Sequence, residues 1–230
     1  MIIYGRNAVS EALRGPRGVH RIWVSERGVE ADWPRAVPVE PTDQAALAAR
    51  CGSDDHQGVV AEVDDFQYAD PAGLLSKPDA FVVVLDEIQD PRNLGAICRV
   101  AEAAGVDGLV IPRHRSAEVT AVVCRASAGA VEHLKIAKAR NIADFLADAG
   151  KAGLWRHGAA MEGADPWDEV DWTGPVALVM GSEGKGLRPR VAGECDRLVK
   201  LPLAGKVDSL NVATAASALL YEAVRQRSSA

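Results

Sequence analysis

Little in this 230-residue chain would hold a metal or staple a fold. Its four cysteines, Cys51, Cys98, Cys124 and Cys195, are widely spaced, with no C-x-x-C pair and no histidine cluster beside them. That argues against a zinc site and against a disulfide framework, and it fits a reduced cytoplasm. Long apolar runs are missing too. The longest, "AFVVVL" and "PVALVM", fall far short of the ~20 residues a bilayer-spanning helix needs. The opening "MIIYGRNAVSEAL" has no charged stretch leading into an apolar one, so no secretory leader is expected. Internal repeats and low-complexity tracts are absent. So is a positive excess: the net charge is −6, which by itself lowers the expectation of a nucleic-acid partner. The distribution says more than the sum. Residues 1–65 carry 7 basic and 11 acidic side chains, whereas 92–156 carry 10 basic and 6 acidic. A local positive face on an acidic protein and ordinary solvated charge both fit that count.

What is present is a chain rich enough in apolar residues, 48%, to bury one large or two small cores. Residues 1–65 read as a small mixed α/β domain. "AVSEAL" is a helix, "VHRIWVS" a strand, "TDQAALAARC" a helix capped by Thr42 or Asp43, and "GVVAEV" an alternating strand. Residues 66–78, with Pro71, Gly73 and Pro78, read as a linker. From 79 to 230 the pattern changes. "FVVVLDE" is a buried strand, "NLGAICRVAEAAG" a helix ending at Gly105, and "GLVIP" a strand. "SAEVTAVVCRASAGAVE" is helix with breaks, and "NIADFLADAG" a capped helix stopped by Gly150. "LWRHGAA", "PVALVMG" and "RLVKLPL" are strands, and a last helix runs from near Ser209 to about Gln226. Apolar strands alternating with helices predict a parallel sheet covered on both faces. Its ligand crevice lies at the carboxyl ends of the strands, where three loops emerge.

The first loop is "DEIQDPRNLGAICR". Asn93 stands where the helix should begin, and its side chain suits an N-cap. Arg99 lies about one and two-thirds turns further on and could point back toward the crevice. A plain cap and a surface cation fit these residues equally. The second loop, "VMGSEGKGL", follows a strand with Gly181, Glu183, Gly184 and Gly186, and glycine lets backbone approach a ligand. It matches neither the Rossmann fingerprint nor a Walker A loop, so neither dinucleotide nor triphosphate binding follows. A tight turn would look the same. The third loop, "GKVDSLNVATAAS", offers Ser209 as N-cap and Asn211 in the first turn, followed by small residues from Ala213 to Ala218. Such a face suits close packing, in a core or between two copies.

In this order, each after a strand, the three stretches resemble the motifs of the SpoU (TrmH-type) branch of the SPOUT methyltransferases. They are "NLGAICR" at 93–99, "MGSEGKGL" at 180–187 and "LPLAGKVDSLNVATAASALLYEAVRQR" at 201–227. "IPRHRSAEVTAVVCRASAGAVE" resembles the stretch between the first two motifs in the ribosomal-RNA members. "IIYGRNAVSEAL" and "HQGVVAEV" resemble their small RNA-binding domain. The resemblance implies a parallel-sheet α/β domain with a C-terminal trefoil knot, preceded by that small domain, and a homodimer formed through the first-motif helix and the last helix. It implies S-adenosylmethionine held around Gly181, Leu201 and Leu210. The implied reaction is methyl transfer to a ribose 2′-hydroxyl, on guanosine of large-subunit ribosomal RNA, with Arg99 acting on the hydroxyl. Asn93, Glu183, Ser209 and Asn211 would organise the site. Arg6, Arg113, Arg115 and Arg125, with the "HQG" segment at His56, would grip RNA. A transfer-RNA substrate, or a non-catalytic RNA-binding protein, are the alternative expectations.

Overall fold

In the computed structural model the described residues are 1–26, 33, 36–161 and 164–229. The first sheet and its helices are built from β1 (Ile2–Tyr4), α1 (Arg6–Arg14), β2 (Val19–Val24), β3 (Val39–Pro41), α2 (Gln44–Cys51) and β4 (Val59–Val63). Its strand order is β1-β4-β2-β3. Asp43, rather than Thr42, caps α2, its carboxylate accepting the Ala46 N–H at 2.7 Å. Gly52 ends that helix in the left-handed region, at φ +68°.

The second sheet holds β5 (Phe81–Asp86), α3 (Pro91–Ala103), β6 (Gly108–Pro112), α4 (Ala121–Ala126), β7 (Ile136–Ala139), α5 (Ile142–Lys151), β8 (Trp155–Ala159), β9 (Asp165–Pro166), β10 (Val176–Gly181), α6 (Pro189–Gly193), β11 (Arg197–Lys200) and α7 (Val212–Arg227). Its seven strands pair in parallel in the order β7-β6-β5-β10-β8-β11-β9. Every residue of β5 and β10 is buried, as an apolar parallel strand requires. The strand period divides them between two cores. Phe81, Val83 and Leu85 face α3, α4 and α7, while Val82 and Val84 face α5. The sheet grows outward from β5 through β6 to β7, then returns to the other side, and β10 inserts beside β5. Asp86 and Gly181 are register partners at the carboxyl end of that switch point, where an open α/β sheet binds its ligand.

The segment between the two sheets is more ordered than its proline and glycine content predicts. Ala69 bridges to Ala137 of β7, and Pro71–Leu75 forms a 3-10 helix capped by Asp70. Leu74 is buried against Gly108, where a Cβ would sit 2.4 Å from its Cδ2. Strands β1, β3, β7 and β9 and helix α6 are too short or too polar to stand out in the sequence. Helix α3 ends at Ala103, two residues before Gly105, and α5 runs one residue past Gly150. Among the described residues no helix is long and apolar enough to cross a membrane.

Candidate active site

Helix α3 starts one turn earlier than the sequence suggests. Asp90 is its N-cap, accepting the Arg92 N–H at 2.8 Å, and Pro91 takes the first position. Proline there has no N–H to satisfy, so the Asp-Pro pair outcompetes Asn93 as a start signal. Asn93 is therefore a first-turn residue with its amide free to reach sideways. Helix α7 starts later than expected, at Val212. Its N-cap is Asn211, whose Oδ1 accepts the N–H groups of Ala213 at 2.9 Å and Thr214 at 3.4 Å. Ser209 caps nothing; it is exposed and lies on a cavity wall.

These shifts join the three loops through one chain of hydrogen bonds. Asn211 Nδ2 donates to Asn93 Oδ1 at 3.0 Å, and Asn93 Nδ2 donates to a Glu183 carboxylate oxygen. The amide orientations follow from the helix. Backbone N–H groups claim the Asn211 oxygen, so its nitrogen must donate; that claims the Asn93 oxygen, and the Asn93 nitrogen then needs an acceptor. Glu183, an acceptor only when ionised, ends the relay.

Beside the relay lies a cavity of about 610 Å³. Gly181, Glu183, Leu201, Ser209 and Leu210 are in its wall, together with Asp208, Leu203 and Leu219. Residues 182–186 fold back as a tight turn, with Ser182 and Gly186 exchanging backbone hydrogen bonds at 3.1 and 2.9 Å. A Cβ on Gly181 would lie 2.1 Å from the Gly186 carbonyl carbon, so only glycine closes this turn. Among the described residues the backbone of 201–210 makes no hydrogen bond to other backbone. Its N–H and C=O groups are thus available to a ligand with donor and acceptor edges. Apolar walls complete a site for a flat heterocycle, and the Glu183 and Asp208 carboxylates favour a cationic centre.

Sequence reading missed the anchor of this loop. Asp86, with a fully buried side chain, ends β5. Its Oδ2 accepts the Arg188 backbone N–H at 3.0 Å, and its Oδ1 accepts Arg188 Nε–H at 2.8 Å. Arg188 also pairs with Glu87 at 3.1 Å. The Asp86 hydrogen bond, first among the causes, raises the Arg188 pKa. The signal was a carboxylate closing the apolar run "FVVVLD".

Arg99 is not brought to the cavity of its own chain. It is exposed on α3, absent from the cavity wall, and has no hydrogen-bond or ion-pair partner among the described residues. Six residues separate it from Asn93, about 9 Å along the helix and about 240° around it. Arg113 is exposed. Arg115 is 77% exposed, with Glu87 at 3.9 Å. Arg125 is committed elsewhere: it binds Asp55 at 2.9 Å and the Asp55 carbonyl at 3.2 Å, tying the two sheets' domains together. The Arg6 N–H donates to Gln57 Oε1 at 3.1 Å. Burial pushes the Cys195 thiol up to about 12 and also raises those of Cys98 and Cys124, which makes all three poor nucleophiles at neutral pH. Among the described residues no group of three potential ligands could hold a metal ion.

Comparison with known proteins shows what the chain is similar to as a whole. The model of the SpoU rRNA methylase family matches residues 80–221, and that of the RNA 2′-O ribose methyltransferase substrate-binding domain matches residues 2–69. YacO of Bacillus subtilis (strain 168), whose name places it provisionally in the TrmH family of tRNA/rRNA methyltransferases, is 37% identical over 98% of this chain and 95% of its own. The SpoU methyltransferase AviRb from Streptomyces viridochromogenes, solved with its cofactor AdoMet, superposes with a TM-score of 0.82 at 28% identity, over 100% of this chain and 91% of its own. An AdoMet-bound rRNA methyltransferase from Sinorhizobium meliloti gives 0.82 at 28% identity, over 97% and 86%.

Proposed function

The chain belongs to the SpoU rRNA methylase family, and from that premise we propose that it is an S-adenosylmethionine-dependent RNA 2′-O-methyltransferase acting on a ribose, guanosine in large-subunit ribosomal RNA, as a homodimer. The observation that carries this reading is the Glu183–Asn93–Asn211 relay, which ties three loops around one cavity. The cavity fits the cofactor: free backbone groups along 201–210 suit an adenine edge, and Glu183 and Asp208 suit a sulfonium. Gly181, Leu201 and Leu210 would hold it, within the knotted C-terminal segment that the family resemblance implies.

S-adenosylmethionine, when bound, supplies an electrophilic methyl group. The chain's own task is to hold a ribose hydroxyl in line with it and to stabilise charge growing on the attacking oxygen. Arg99 takes the second role as an electrostatic clamp. A guanidinium stays protonated in proteins and is a poor general base, so the hydroxyl proton leaves to water. In the dimer, Arg99 of a second copy reaches the cavity. Its helix supports this: α3 exposes Arg92, Ala96, Arg99 and Ala103 as one stripe, and neighbouring α7 exposes Thr214, Tyr221 and Arg225. Ala96 and Ala103 on α3 and Thr214 on α7 leave room for close approach, and Tyr221 offers an exposed apolar ring to a second copy.

Ribosomal RNA is favoured by the name of the family whose model matches residues 80–221 and by the named activity of the Sinorhizobium protein. Arg113 and Arg115 flank the strand ends and supply phosphate contacts, which are salt-sensitive and carry little sequence information. Two measurements test the reading. Arg99→Ala should lower methyl transfer to ribosomal RNA by ~10²–10³ while S-adenosylmethionine affinity by calorimetry stays nearly constant. Near-wild-type transfer by that variant would remove Arg99 from the mechanism. Mapping 2′-O-methyl groups in a deletion strain distinguishes ribosomal from transfer RNA.

A further inference from the structure

The two domains meet at a joint built from close backbone approaches rather than long side chains. Val123 and Cys124 of α4 belong to the same buried cluster as Ile3 and Val9 of the small domain and Leu94 and Ile97 of α3. Ala121, at the start of α4, packs against the small domain's other cluster, around Tyr4 and Leu47. On α3, a Cβ at Gly95 would lie 2.5 Å from the Ala126 Cβ and 3.0 Å from the Val123 carbonyl oxygen, so the two helices touch with no flexible side chain between them. On the small domain, Gly5 at φ +95° makes room for Arg125, since a Cβ there would meet the Arg125 Cδ at 2.5 Å. Arg125 Nε–H then donates to the Asp55 carbonyl at 3.2 Å, and its Nη2 donates to the Asp55 carboxylate at 2.9 Å. The turn that follows α4 is strained. Ala128 sits at φ +53°, where a Cβ is disfavoured. Gly129 follows at φ +88° and lies so close to Glu11 that a Cβ would come within 2.5 Å of the Glu11 Cβ.

Helix α4 thus grips the small domain through Arg125 and abuts α3 through the next residue, Ala126. Gly95 in turn is two residues from Asn93, the middle of the hydrogen-bond relay. Close-packed contacts of this kind transmit a displacement instead of absorbing it, so a shift of the small domain reaches the first turn of α3. The Arg125–Asp55 pair is partly exposed and adds little to stability. What it fixes is direction, because two bonds from one planar guanidinium to a single residue set the angle at which the small domain is held. We propose that Arg125 is a positioning residue for the transfer reaction rather than an RNA contact: it clamps the small domain onto α4, so that Asn93 and the cavity keep one geometry relative to RNA held on the small domain. This inference rests on the RNA-methyltransferase reading and adds to it an interdomain strut.

The test compares the full chain with Arg125→Ala, Asp55→Ala and the double variant, using unmodified large-subunit ribosomal RNA as probe. Each single variant should lower kcat for methyl transfer roughly tenfold, as a slight misplacement of reacting groups does, and the double variant should be no worse than either. The RNA Kd and its salt dependence should match the wild type. So should S-adenosylmethionine affinity, which also reports that each variant is folded. Hydrogen exchange at the amides of residues 93–97 should quicken roughly tenfold in all three variants. A phosphate contact predicts a different pattern: Arg125→Ala would weaken RNA binding and flatten its salt slope by about 1, while Asp55→Ala, by freeing the guanidinium, would tighten it. That pattern, additive losses in kcat, or unchanged exchange at 93–97 would overturn the proposal. A wild-type chain that transfers no methyl group, beside quickened exchange in the variants, would defeat the proposed function and leave the strut standing.

Discussion

His157 shows how far a single residue can be pushed by its place in the fold. It lies in β8, edge-on to Trp172 with ring centroids 4.8 Å apart, and its Nε2 meets the Asp171 carbonyl at 3.0 Å. Its Nδ1 is buried without a partner among the described residues. Burial, the largest influence, drives its pKa below the ordinary histidine value, while the Asp171 carbonyl and the Asp196 carboxylate pull weakly the other way. The native state therefore holds the ring neutral. The unfolded chain takes up a proton near pH ~6.5, and the native state does so only at lower pH. Between those two values the unfolded state binds more protons, so stability falls as pH falls through that window. Urea midpoints should drop between pH 7.5 and 5.5, and His157→Gln should flatten that part of the profile. An unchanged slope in the variant would show that other groups govern it.

At the scale of elements, the glycine turn and its clasp are the informative pair. The turn at 182–186 has few internal bonds, and Asp86 fastens its far end to the sheet through Arg188. Asp86→Asn keeps the shape but removes the charge and turns one of the two accepting oxygens into an amide donor facing an Arg188 N–H, a loss of roughly 1.5–3 kcal/mol for charge-assisted bonds. Because Arg188 is 43% exposed, the lower end of that range applies. The expected result is a rise of about tenfold in the cofactor KM with kcat little changed, measured by steady-state transfer. A matched fall in kcat with unchanged KM would mean the clasp serves the chemistry rather than the cofactor. The sequence displayed the ingredients of this region unevenly. Periodicity gave β5, β10, α3 and α7, since long apolar runs leave few choices. It misplaced both helix starts, because Asp90-Pro91 and Asn211 compete with Asn93 and Ser209 for the same capping role. Only coordinates decide which side chain reaches a neighbour instead. The Asp86–Arg188 pair stayed hidden because 102 residues separate its members.

The whole molecule answers a question that composition raised, namely where the opposite charges of 1–65 and 92–156 go. One such pair, Arg125 with Asp55, meets across the seam between the two domains. Beside it His133 meets Glu11 at 2.8 Å, and a pair of the reverse sense joins Arg17 of the acidic half to Glu132 of the basic one, whose Oε2 accepts Arg17 Nε–H at 2.8 Å. The first two are partly exposed and contribute little. The third is different: the Arg17 and Glu132 side chains are 5% and 1% exposed. Arg17 also reaches Cys124 Sγ at 3.6 Å, and the Glu132 Cβ fits against Gly15, where a Cβ would come within 2.9 Å. A knot and a dimer are expectations that the resemblance alone carries, whereas this docking followed from neither pattern nor resemblance, since the partners lie 115 residues apart. Its energetics are testable. Glu132→Leu alone leaves a guanidinium buried without a counter-charge and should cost about 3–5 kcal/mol in urea unfolding. Arg17→Met alone strands the carboxylate and should cost a similar amount. The double variant replaces both charges with apolar groups of similar size and should recover most of the loss, because a buried pair barely repays its own desolvation. The cycle would then show a coupling of several kcal/mol, far above the ~0.5 kcal/mol scatter of independent sites. Additive losses would mean that the two charges do not depend on each other. The seam would then be held by apolar contact, with the ion pair a passenger.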